Sequence, residues 1–159
     1  MSNGKIIASM LVLSALLAGL AVYYLQVYGF YEPVDQIAGA EEVHLVADDM
    51  QPIAVAVSEF RGIDADSSPL RYRACFRIGD LPEGARPYEK ATPLNGPRWF
   101  SCFSAKGLTG DLASGAATAY LGQSDIHPGV DRVIAVYSDG RAFAWHQLNS
   151  SAEEKKVIE

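Results

Sequence analysis

The sequence predicts an α+β chain: a single N-terminal transmembrane helix, then a small antiparallel-sheet domain with one or two short helices and one disulfide. Three observations carry this reading. Residues 6–31 hold no charged side chain. From residue 43 onward, short runs rich in β-branched and aromatic residues alternate with turn-forming clusters. The chain also holds two cysteines, Cys75 and Cys102, too far apart in sequence for a C-x-x-C motif. The expected organisation is an anchor at 1–31 with a short cytoplasmic start, an acidic juxtamembrane linker at 32–42, a domain at 43–149 and a flexible tail at 150–159.

The anchor comes first. A hydrocarbon core of about 30 Å needs about 20 helical residues, and IIASMLVLSALLAGLAVYY supplies 19 of them from Ile6. Lys5 is the one charge before this stretch, whereas Glu32, Asp35, Glu41, Glu42, Asp48 and Asp49 follow it without a Lys or Arg among them. The positive-inside rule then places the N-terminus in the cytoplasm and the domain in the periplasm of a bacterial inner membrane. Tyr23, Tyr24, Tyr28, Phe30 and Tyr31 form an aromatic collar where the helix leaves the lipid. The rival is a cleaved secretory signal with processing near Gly19 and Ala21, which delivers the domain to the same compartment. Ala8, Ser14, Ala15, Ala18 and Gly19 recur at spacings of four and seven, so they are candidates for close packing against a second helix in the bilayer.

Strands are expected at 43–47, 53–60 and 70–78. In the third, alternation puts Arg71, Arg73, Cys75 and Arg77 on one face and Tyr72, Ala74, Phe76 and Ile78 on the other, a cationic face backing a core face. The arginines serve a carboxylate-rich partner, a lipid headgroup or a propionate, or they pair with the domain's own acidic segment. Residues 79–97, with four prolines and three glycines, read as a long irregular loop. A short helix follows at 109–117, and a final hairpin pairs 132–137 with 141–148 around Ser138-Asp139-Gly140, with a type I′ turn at Asp-Gly.

The 19 acidic and 13 basic residues give a net charge of −6, which argues against nucleic acid as a bulk-charge partner. Charge is also segregated. Residues 32–60 hold seven carboxylates and no Lys or Arg, while residues 61–106 hold eight basic against five acidic side chains. In an oxidising compartment Cys75 and Cys102 most simply form one disulfide, and a 28-residue loop is worth roughly 3 to 4 kcal/mol in the chain-entropy model. A redox-active pair or a thiolate copper site is the alternative.

No catalytic motif is evident. Asp64-Ala-Asp66-Ser-Ser68 begins like a calcium loop, but Pro69 and Cys75 stand where glycine and glutamate are needed, so a turn is expected instead. His146 lacks a nucleophile setting and reads as a structural or interface residue. There is no phosphate loop and no haem-attachment motif, so no cofactor is expected.

The strings GKIIAS, LSALLAG, YYLQVYGFYEPV, GIDADSSPLRYRACF and DRVIAVYSDGRAFAWHQLN resemble a family of short, uncharacterised single-span proteins of alphaproteobacteria. That resemblance implies a compartment and an architecture and carries no catalytic residues. A single anchor with a small-residue stripe, a disulfide-stapled domain and charge patches without a catalytic motif give the expectation of a non-catalytic accessory or assembly subunit of an inner-membrane, respiratory complex, with the lipid bilayer and an integral membrane complex as partners. The acidic collar, through Glu41, Glu42, Asp48 and Asp49, suits a basic periplasmic electron carrier. The alternative is a thiol-redox or copper-delivery factor using Cys75 and Cys102.

Overall fold

The computed structural model describes residues 3–34 and 43–152, and the chain divides into two compact units, Met1–Tyr31 and Glu32–Glu159. Glu41 and Glu42, and residues 153–159 of the expected tail, lie outside the described residues.

The first unit is helix α1, Asn3–Tyr24, continued by a π-helical turn at Leu25–Gly29 in which Phe30 N–H donates to Leu25 O at 3.1 Å. Leu and Ala are the commonest residues of α1 and no proline interrupts it, so intrinsic propensity agrees with the helix. The span Asn3–Gly29 is long and apolar enough to cross a membrane, and none of its residues is buried. Tyr24 and Tyr28, four residues apart, stack at 6.0 Å in the collar.

The second unit contains strands β1 (Glu32–Val34), β2 (His44–Val46), β3 (Pro52–Ala54), β4 (Val57–Asp64), β5 (Arg73–Ile78), helix α2 (Ala105–Ser114), then β6 (Ala117–His127), β7 (Val130–Tyr137) and β8 (Arg141–Leu148). Six strands form one antiparallel sheet in the order β1-β4-β5-β8-β7-β6, and β2 and β3 form a separate ribbon. Cys75 and Cys102 are joined in a disulfide with Cα atoms 6.3 Å apart.

Several boundaries differ from the sequence reading, each for a local reason. Glu32–Val34, expected in the linker, is an edge strand whose Val34 packs on the core, and an edge is where Pro33 is tolerated. The expected strand at 53–60 is interrupted at 55–56, where the chain leaves the ribbon and joins the main sheet. Strand β6 was not expected, because Gly122, Gln123, Ser124 and Asp125 break its alternation. Its register shifts between Leu121 and Gln123 and again before His127. Helix α2 begins four residues before the expected start because Ser104 caps it, accepting from Gly107 N–H at 3.2 Å, and it ends at Gly115 with φ 77°. The β7–β8 turn has Gly140 N–H bonded to Tyr137 O at 3.0 Å. Its only positive φ is at Gly140 (83°), so it is a type I turn with a glycine bulge rather than type I′.

Alternation along β5, β7 and β8 builds two apolar layers. One face carries Ala74, Phe76, Ile78, Ile134, Val136, Ala142 and Ala144, covered by Val43 and Leu45 from β2 and its approach. The other carries Val133, Ala135, Phe143 and Trp145. Phe103 packs its ring edge on Phe143 and Trp145 at 6.4 Å, and buried Leu108 of α2 belongs to the segment tied down by the disulfide. All eight residues of β7 are buried, as a central strand covered on both faces requires.

Candidate functional site

The sheet alternates as expected, but the odd-numbered face of β5 is not an open cationic surface. Arg73 is 3% exposed, so its place in an interaction surface is corrected. Its Nε donates to Leu94 O (2.8 Å), Nη2 to Asn95 O (3.0 Å), and Nη1 to Leu70 O (2.8 Å) and Tyr72 O (2.5 Å). The guanidinium also lies 5.6 Å from the Phe103 ring centroid. A planar, permanently charged donor fork suits this work, holding loop carbonyls that would otherwise lack partners. Arg71 and Arg77 are half-buried, and Arg77 Nη2 donates to Asp139 O at 2.7 Å. Asp48 and Asp49 are exposed at the β2–β3 turn, where Asp49 accepts from Gln51 N–H at 3.1 Å.

The loop held by Arg73 is held again further along. Gln147 accepts from Thr92 N–H (2.7 Å) and from Trp145 Nε1 (3.0 Å), and donates to Lys90 O (2.9 Å). Asp131 accepts from Tyr88 OH (2.9 Å), Asn149 Nδ2 (2.8 Å) and Asp125 N–H (3.0 Å). Both are nearly buried, at 5% and 6% exposure. Between this loop, the β2–β3 turn and the ends of β7 and β8 opens a cleft of about 1170 Å³ whose walls include Asp48, Arg86, Tyr88, Lys90, Asp131 and Gln147. Buried polar side chains fix its wall in place, so the recess is preformed.

On the opposite face of the same hairpin a second polar set crosses the strands. Register pairs Gln123 with Arg132 and Arg132 with His146. Tyr72, one residue before β5, stacks on the His146 ring at 4.5 Å and carries the Arg132 guanidinium over its own face at 4.3 Å. Arg132 Nε donates to His146 Nε2 at 3.1 Å, and His146 Nδ1 lies 2.8 Å from Pro69 O. A carbonyl only accepts, so Nδ1 carries the proton and the ring is neutral. Burial, reinforced by the Arg132 charge, pushes His146 down to about 3. The rim holds exposed His127, its ring 6.2 Å from that of His146, and half-buried Asp64. Burial raises the Asp64 carboxyl above its ordinary value, against the opposing pull of the Ala65 N–H bond and the charges of Arg132 and His127.

The segment 64–68 is a turn, as expected. Asp64 accepts from Ala65 N–H (2.8 Å), Ser68 N–H donates to Ala65 O (3.3 Å), and Ser68 Oγ accepts from Leu70 N–H (3.3 Å). Its outcome is to offer Pro69 O to His146. Among the described residues no group of three or more His, Cys, Asp or Glu is placed to hold a metal ion. On α1, Ser14 Oγ donates to Leu11 O at 3.0 Å and Gly19 faces open space.

The sequence reading missed Arg132, Asp131, Gln147 and Gln123. A signal for three of them was present: the doublets Asp131-Arg132 and His146-Gln147 interrupt otherwise apolar runs at the same end of one hairpin. Register pairs them, Asp131 with Gln147 and Arg132 with His146, sending one pair to each face.

Comparison with curated proteins and with solved structures returns no match. The model of a family of unknown function, DUF6446, matches residues 43–156, which span the two polar sets and both cysteines. The chain belongs to this family of unknown function.

Proposed function

We propose that the protein is a non-catalytic accessory or assembly subunit of a respiratory complex in an alphaproteobacterial inner membrane, its domain on the periplasmic face. The observation that carries the reading is the span Asn3–Gly29, an apolar helix with no buried residue. Such a helix is stable in lipid or against other membrane helices, and Ala8, Ala15 and Gly19 offer a smooth stripe for close approach. The domain adds a disulfide-tied fold and a preformed cleft of about 1170 Å³ walled by side chains of both charges. That combination suits a docking module whose buried polar groups hold shape.

The test is purification of the tagged full-length protein in a mild detergent, followed by native electrophoresis and mass spectrometry of what accompanies it. Recovery at fixed stoichiometry with a membrane complex is the expected result; recovery alone or as a homo-oligomer overturns the proposal. A basic electron carrier docking on Asp48 and Asp49 adds a salt-sensitive component in the same preparation. It should be present at low ionic strength and lost at high.

A further inference from the structure

Arg132 is 4% exposed, and a guanidinium does not release its proton in a protein. A charge held that far from water is ordinarily paired or fully hydrogen-bonded. Here the described residues provide one acceptor, the neutral His146 Nε2 on Nε, together with the face of Tyr72. Nη1 and Nη2 donate to no acceptor among the described residues. The stacked Tyr72 and His146 rings hold the guanidinium in position with those donors uncommitted.

We propose that Arg132, with His127 and Gln123 around it, binds a small carboxylate. Two parallel N–H···O bonds to a carboxylate are the geometry for which a guanidinium with both Nη groups uncommitted is suited. Asp64 on the rim decides between oxyanions. A doubly charged oxyanion such as sulfate is repelled beside it more strongly than a singly charged carboxylate.

The experiment uses full-length protein in non-ionic detergent near pH 6.5 and titrates acetate, sulfate or chloride at constant ionic strength. The readouts are the urea midpoint and the ¹⁵N–¹H resonance of Arg132 Nε. Acetate is expected to raise the midpoint and to shift the resonance saturably, with no midpoint response in Arg132→Met and a weakened one in His127→Ala. An acetate effect no larger than that of chloride overturns the proposal. A sulfate effect equal to that of acetate overturns the choice of a carboxylate. Because the resonance is read on the native chain, the result stands even where Arg132→Met does not fold.

Discussion

Replacing His146 with Gln should flatten the acid limb of the stability curve. In the folded domain this imidazole is pushed down to about 3 by burial and by Arg132, from an ordinary value of 6.5. A base whose folded value is depressed contributes stability that is whole above its unfolded value and is lost as pH falls from about 6.5 toward 3. Between pH 7 and pH 5 the unfolded chain takes up a proton here and the folded chain does not. At about 1.4 kcal/mol per pH unit over the roughly 1.5 units below 6.5, the loss is about 2 kcal/mol.

Asp64 acts with the opposite sign, since a raised carboxyl favours the folded state as pH falls through the window above 3.8. It is present in both proteins and drops out of the difference. The assay is urea unfolding of full-length protein in detergent at pH 7 and pH 5, followed by the fluorescence of Trp145, which is fully buried. The His146→Gln protein starts from lower stability, and the expected finding is that it loses about 2 kcal/mol less than the native chain between the two pH values. Equal losses in the two proteins would refute the assignment of a buried neutral imidazole.

Three further outcomes concern the disulfide and the Arg73 bonds. Removing the Cys75–Cys102 bridge with a double Ala substitution should cost roughly 3 to 4 kcal/mol by the chain-entropy model. In the native chain, alkylation with mass determination in a glutathione buffer should find no free thiol, because Cys75 is 6% exposed. Arg73→Met should cost about 3 kcal/mol by leaving loop carbonyls without donors, with faster amide exchange confined at first to residues 88–97. Unchanged exchange there would show that the loop is held by other contacts.

How much of this could be read from the sequence depended on what each residue's neighbours were in the chain. The final hairpin was legible because β-branched alternation and an Asp-Gly turn are local signals, and the two cysteines were legible because few pairings exist. Arg73 was misread for a physical reason. Alternation says which face a side chain takes, but whether that face is covered depends on the segment 97–114, which is brought over it by a disulfide and by Phe103. Strand β6 escaped because its bulges displace the period on which the reading relies. The Arg132 cluster joins residues from β7, β8 and the approach to β5, and only the sheet order makes them neighbours.

The two polar sets share one structural origin, and this constrains what a ligand or partner can do. Asp131 and Arg132 are consecutive on β7, as are His146 and Gln147 on β8, so the same end of one hairpin is polar on both faces. Buried Val130 and Trp145 flank these polar side chains, which apolar packing alone cannot satisfy. That end is held by directional bonds: Asp131 and Gln147 to the loop on one side, and Arg132 and His146 to Tyr72 and Pro69 on the other. A one-residue slip of register would exchange the two sets and break both. Occupation of the cleft and occupation of the Arg132 site therefore both favour the native register over its local opening, so each should slow amide exchange along the far end of β7 and β8.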